Sequence, residues 1–197
     1  MNFKQLIEKR RSIYVIGDKT ALSDTQITQI MQDAVKYCPT AFNSQSGRLV
    51  LLFKESHKIL WDIVLNALRL VTPAERLVQT EAKIASFVAG KGTVLYYIDT
   101  QTTKDLQEKF PLYADKFPVW AEQAVGILQF IVWTALAQEN IGASLQHYNP
   151  LIDEQVAETF QIPKNWKLTA QMPFGDILQP AGEKTFLSLQ DRIKVFK

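Results

Sequence analysis

The chain of 197 residues carries 22 basic and 20 acidic side chains, a net charge of +2, with 47% hydrophobic and 21% charged residues. That is the composition of an ordinary globular domain with room for one substantial core, and the near balance of charge excludes the electrostatic footprint of a protein that binds nucleic acid or an acidic membrane surface. The single cysteine, Cys38, excludes an internal disulfide and a cysteine metal cluster, and it agrees with a reducing cytoplasm.

Phe3, Leu6 and Ile7 recur at helical spacing and predict a short helix that runs into the basic triplet Lys9-Arg10-Arg11. Charges in this stretch leave no apolar centre for an export signal. Ser23 with Gln26 forms a capping-box pattern, and Ile27, Ile30, Met31, Ala34 and Val35 behind it predict an amphipathic helix that Pro39 stops. RLVLLF (48–53) reads as a buried strand. Residues 57–71 and 73–90 read as two helices, with Pro73 in a first turn and Gly90 as a stop.

GTVLYYID (92–99) is dense in β-formers and reads as the second strand. The polar and aromatic stretch 102–118, with Pro111 and Pro118, suggests short helical pieces. Residues 120–140 form one long helix, apolar on nearly every side from Ala124 to Ala137. That apolar segment is shorter than the roughly 20 residues of a bilayer span, so it is expected at the centre of a domain or under a subunit partner. GASLQHYN (142–149) is expected as a third strand, DEQVAETFQI (153–162) as a helix and WKLTAQMPFG (166–175) as a fourth strand. The tail from Asp176 has little period until RIKVF, and the last twenty residues are expected to extend onto a neighbouring subunit. Strands separated by helices predict one α+β domain over residues 1–197, a mixed sheet with helices on both faces.

No G-x-G-x-x-G follows a strand, and there is no phosphate-binding G-x-x-x-x-G-K-[ST] and no G-x-S-x-G nucleophile elbow. Two histidines, His57 and His147, make no metal set, so no metal is expected. Three polar stretches remain. In EKRRSIY (8–14) the basic side chains favour the negative end of the first helix, or two guanidiniums beside a hydroxyl offer forked donors to a phosphate. TAFNSQSGR (40–48) is a turn rich in amides and hydroxyls, or its amides meet the mixed donor and acceptor edge of a heteroaromatic ring. GASLQHYNPLID (142–153) crowds Gln146, His147, Tyr148 and Asn149 at a strand end, either as a solvated rim or as the wall of a site.

Together, RRSIY, AFNSQSGR, GTVLYYID, GASLQHYNPLID and WKLTAQMPFG resemble the nitroreductase family of FMN-dependent oxidoreductases, and within it the subgroup named after the fatty-acid repression mutant protein of yeast. The resemblance runs from about residue 3 to about residue 196. It implies a nitroreductase-like α+β fold, an intertwined homodimer and FMN at the dimer interface. By position, Arg10, Arg11 and Ser12 would meet the FMN phosphate, ribityl chain and pyrimidine edge. Tyr14 stands in the same cofactor-binding segment, where many relatives have a basic residue. Asn43 and Gln45 would line the ring from the other subunit, and Leu145, Gln146 and His147 would run along the isoalloxazine. Lys184 matches the late phosphate-binding lysine. Phe186 stands where many relatives carry an arginine, a charge that Arg192 is expected to supply. NAD(P)H is the expected transient electron donor, and a small aromatic, nitroaromatic or quinone-like molecule the acceptor, in a two-electron ping-pong reaction. His147 and Tyr148 are the candidates for shaping or protonating that acceptor. The alternative is an FMN-binding redox sensor linked to lipid or stress regulation.

Overall fold

In the computed structural model, which describes residues 2–197, α1 (Phe3–Lys9) starts at a capping box between Asn2 and Gln5 and runs into the basic triplet. A two-residue strand that no sequence pattern announces, β1 (Ile16–Gly17), follows. α2 (Asp24–Tyr37) begins at the expected box: Ser23 Oγ accepts the Gln26 N–H at 3.3 Å, and Gln26 Oε1 accepts the Ser23 N–H at 2.9 Å. β2 (Gly47–Phe53) leads into α3 (Lys54–Val71) and α4 (Ala74–Val88), and β3 (Gly92–Asp99) comes next.

The stretch after β3 differs from expectation. It opens with one ten-residue helix, α5 (Thr100–Lys109), because the Asp99 carboxylate accepts the N–H groups of Gln101 and Thr102 and so starts a helix directly at the strand end. Of the short pieces expected there, one 3₁₀ turn, Pro111–Tyr113, is present. α6 (Phe117–Gln138), β4 (Ile141–Ala143), α7 (Asp153–Thr159) and β5 (Trp166–Ile177) complete the domain.

The sheet runs β1-β5-β3-β2, with β4 also paired to β5, and every ladder is antiparallel. Among the described residues a parallel contact enters only as an isolated bridge, Ser12 to Ala143. The third strand is shorter than the expected 142–149. The β4–β5 register continues past Ala143/Phe174 to a bridge at Gln146/Gln171, but Pro173 stands between them. Proline has no N–H to return to the facing strand, so Ser144 donates to Pro173 O at 3.3 Å and the ladder lapses.

β3 is buried along its whole length and alternates between two cores. Val94, Tyr96 and Ile98 face α2 and α6, while Leu95 and Tyr97 face α3, α4 and α7. The second core holds His57. Its Nε2 lies 3.1 and 3.2 Å from the carbonyls of Phe87 and Val88, which accept only, so the proton sits there and Nδ1 faces Thr93 Oγ1 at 2.9 Å. Trp61 Nε1 donates to the same hydroxyl. Burial lowers the His57 pKa, and the ring is a structural strut of the far core. α6 is long and apolar enough to cross a membrane by length and composition, yet Val125, Leu128, Val132 and Leu136 pack in the first core. Its outer side leaves Val119, Ile127 and Phe130 exposed.

Candidate functional site

The segment after α1 is clamped to the sheet. Ile13 N–H donates to Ala143 O at 2.9 Å. The approach to β4 and β5 is so close that a Cβ on Gly142 would lie 2.9 Å from Ile13 Cγ2, and one on Gly175 only 1.9 Å from Gly17 O. At Gly175 two backbones pass without room for a side chain, and at Gly142 the space is filled by the side chains of Ile13 and Ile177. The clamp carries Arg10, Arg11, Ser12 and Tyr14 to one wall of a cavity of about 480 Å³, whose other wall is Gln179–Lys184 from the tail.

Inside this cavity Arg11 Nη2 donates to Gly182 O at 2.8 Å. The Arg10 guanidinium lies 4.4 Å above the Trp133 ring, and its Nε is buried without a partner. Burial, then the charge of Arg11, lowers the Arg10 pKa, although an arginine remains a cation at neutral pH. Arg10, Arg11 and Lys184 thus line the space with a single acid, Glu183. A buried guanidinium N–H without an acceptor is costly, and an anionic cofactor group would both satisfy it and balance the local charge, so the residues fit an FMN phosphate. Arg192 and Phe186 are exposed and do not line the cavity.

Asn43 and Gln45 lie elsewhere. Phe42, Asn43 and Gln45 hold left-handed backbone, with φ of 55, 50 and 48°, a strained state for a phenylalanine or a glutamine. Phe42 is kept there by packing on Phe110 at 4.9 Å and Phe117 at 5.3 Å. Arg48 ties down the loop end by donating to Gln45 O and, at 2.7 Å, to Asp99 Oδ2. Gln45 borders a second, smaller cavity of about 150 Å³ with Cys38 and Arg48. The chain therefore keeps the two amide residues apart from the arginines.

The polar crowd after β4 is largely tied to one partner, Gln171. Gln146 and Gln171 exchange backbone hydrogen bonds at 2.7 and 2.9 Å, and the Tyr148 N–H donates to Gln171 Oε1 at 2.8 Å. The buried Gln146 amide donates to Ser144 Oγ, and Leu145 packs against the first core. Tyr148 turns its ring into the second core, edge-on to Trp61 at 6.0 Å, and burial pushes its phenol up to about 12. His147 alone of this group is exposed. The sequence reading missed Trp133, hidden in an apolar run, and the tail wall ahead of Lys184, whose one local signal is the turn pair Pro180 and Gly182.

The profile of the nitroreductase family matches residues 7–176. The chain belongs to the nitroreductase family. This nitroreductase is 35% identical over 187 residues to HBN1 of Saccharomyces cerevisiae, covering 94% of this chain and 93% of that one. It superimposes on the nitroreductase CinD of Lactococcus lactis in complex with chloramphenicol with a TM-score of 0.90 at 45% identity over 100% of both chains. CinD in complex with 4-nitrophenol gives 0.89 at 46% over the same coverage. At 17% identity, a Desulfovibrio desulfuricans protein in complex with FMN shares the fold with a TM-score of 0.73 over 100% of this nitroreductase and 99% of its own chain. The chain is an oxidoreductase of this family, and its sheet and helices are those of the nitroreductase fold.

Proposed function

We propose that this chain is an FMN-dependent oxidoreductase that takes electrons from NAD(P)H and delivers them in pairs to nitroaromatic or quinone-like acceptors. The observation that carries the reading is the cationic cavity in which Arg10, Arg11 and Lys184 converge and one guanidinium N–H lacks an acceptor. FMN, when bound, supplies the hydride and electron chemistry that side chains alone do not. The chain's part is to bind and orient. Arg11, braced on Gly182 O, Arg10 and Lys184 hold the phosphate, and Ser12 and Tyr14 follow along the same wall. His147, free at the strand end, is the group able to pass a proton to an acceptor. Tyr148, with its phenol pushed up and its ring packed on Trp61, shapes that end and keeps its proton.

A homodimer belongs to this reading. The exposed Val119, Ile127 and Phe130 of α6 offer an apolar face, and the tail exposes Leu187, Ile193 and Phe196. A partner would bring its own Asn43 and Gln45 to this chain's arginines. Chloramphenicol and 4-nitrophenol, named with CinD, carry nitro-substituted rings and support the acceptor class. Nicotinic acid, also named with CinD, shares the pyridine ring of the nicotinamide donors.

The test is the flavin absorbance of the protein with FMN, before and after anaerobic NADH or NADPH and again after 4-nitrophenol. Bands that bleach and then return are the expected result. FMN that binds but resists both donors would overturn the enzyme reading in favour of a redox sensor. If FMN did not bind, the cofactor assignment itself would fall.

A further inference from the structure

Trp133 lies in the C-terminal third of α6 and does not itself line the cavity, yet it makes two specific contacts, one to an arginine of the cavity wall and one to the strand that supports that wall. Its ring lies under the Arg10 guanidinium, whose carbon is 4.4 Å from the ring centre. Its Nε1 donates to Ala143 O at 3.1 Å. The same carbonyl accepts the Ile13 N–H at 2.9 Å. One oxygen therefore joins α6, the end of β4 and the segment that carries the arginines, and the indole plane is fixed relative to all of them. Trp133 is half-buried and Arg10 is half-buried above it.

Arg10 itself is otherwise unheld at its charged end. No ion pair is formed by it among the described residues, and its Nε is buried with no acceptor. Arg11, its neighbour, repels it and is braced separately on Gly182 O. Stacking on an aromatic face restrains a guanidinium without using any of its N–H donors. That is the property wanted of a residue that must be rigid before its anionic partner arrives, because less freedom is then lost on binding.

We propose that Trp133 is a positioning residue: it holds the Arg10 guanidinium by its ring, and holds its own ring by the bond to Ala143 O, so that the free Arg10 donors are presented to the cofactor phosphate. The inference rests on the FMN reading above for the identity of the anion, while the stack stands on the geometry alone. Gln129 and Phe130, one turn before Trp133, and Ala137, one turn after it, supply no charge to Arg10, so the ring is the feature of α6 that acts on it.

Two measurements test this. The first is the dissociation constant of FMN, with riboflavin as the phosphate-free comparison, in a double-mutant cycle of Trp133→Leu and Arg10→Ala. Trp133→Leu is expected to weaken FMN roughly three- to thirtyfold and to leave riboflavin nearly unchanged, and the loss is expected to vanish in the Arg10→Ala background. Trp133→Phe, which keeps a ring and loses the N–H, is expected to fall between wild type and Trp133→Leu. An equal loss in both backgrounds, or equal losses for FMN and riboflavin, would show a merely structural role and overturn the proposal. The second uses the flavin-free chain: the Arg10 Nε–H proton resonance is expected upfield from the indole ring current, to lose that shift in Trp133→Leu, and to move on titration with inorganic phosphate. Absence of the ring-current shift, or of any response to phosphate, would overturn it equally. A wild-type chain that bound no FMN would sink the flavin reading, and the resonance would still decide whether Trp133 presents Arg10 to an anion.

Discussion

One chain carries two polar regions that resemble halves of a flavin site, and they are built in opposite ways. The arginine half is laid on the sheet: residues 12–17 run against β4 and β5 with glycines at the crossings, and the charged groups inherit the rigidity of the ladder. The amide half is a strained loop, with Phe42, Asn43 and Gln45 in left-handed backbone and an ion pair at its foot. The first half has an unsatisfied donor and a cavity. The second presents exposed Asn43 and Gln45 side chains. A rigid wall can hold an anion by itself, whereas a projecting loop needs something to project onto, and under the proposed homodimer that something would be the partner's arginine wall.

The comparison breaks most completely at Gly175. Its Cβ would sit 1.9 Å from Gly17 O, so Gly175→Ala is expected to lift the arginine segment off the sheet and cost about 3 kcal/mol or more in folding stability. Thermal melting together with FMN content would check it; an unaltered melting temperature would mean the clamp yields easily. Next, Arg11→Ala is expected to weaken FMN by roughly ten- to a hundredfold, as the loss of a hydrogen bond to a charged group implies, with the fold intact. Unchanged FMN affinity in a folded variant would remove Arg11 from the phosphate.

The loop half has its own anchor. Asp99 holds Arg48 at 2.7 Å and also accepts from Asn165 at 2.7 Å. Burial pushes its pKa up, but the hydrogen bonds from Asn165 and Thr102 and the charge of Arg48 outweigh this, so the net shift is downward. A carboxylate with a depressed folded pKa contributes stability above its unfolded value, near about 3.9, and loses it as pH falls below that. Asp99→Asn is therefore expected to cost about 2 kcal/mol at neutral pH and nothing further once the wild type is acidified. Urea unfolding across that window would show a constant gap instead if the charge were irrelevant.

The smallest effect on folding is expected from Gln45→Ala, within about 0.5 kcal/mol because the side chain is exposed. Its value is in mixing. If Gln45 serves the partner's cavity, a mixed dimer of Arg11→Ala and Gln45→Ala subunits places both defects in one site, leaves the other whole, and should restore roughly half of the FMN binding. No recovery would place both halves of the site within one subunit.

Most of the elements were legible because local chemistry dictates them. Ser23 and Gln26 close their box three residues apart, and β3 is apolar on both faces because it is central. α5 was misjudged for want of one fact, that Asp99 ends a strand and caps a helix at once. The stretch from Ser144 to Asn149 was misread as strand because the interruption is set by Pro173, on a different segment. β1 had no pattern to read: two residues cannot display a period.

The site shows the same division. By itself the sequence determined which residue types were available, the Arg10-Arg11-Ser12 run, the amides at 43 and 45 and Lys184, since motifs of fixed spacing survive without coordinates. Only the tertiary structure decided their company. It joined the early arginines to the tail wall, left Arg192 outside, gave Gln146 and Tyr148 to Gln171 and Trp61, and set Trp133 beneath Arg10. Those pairings span more than a hundred residues or cross between elements, and they follow from how sheet and helices stack, a relation that no local spacing encodes.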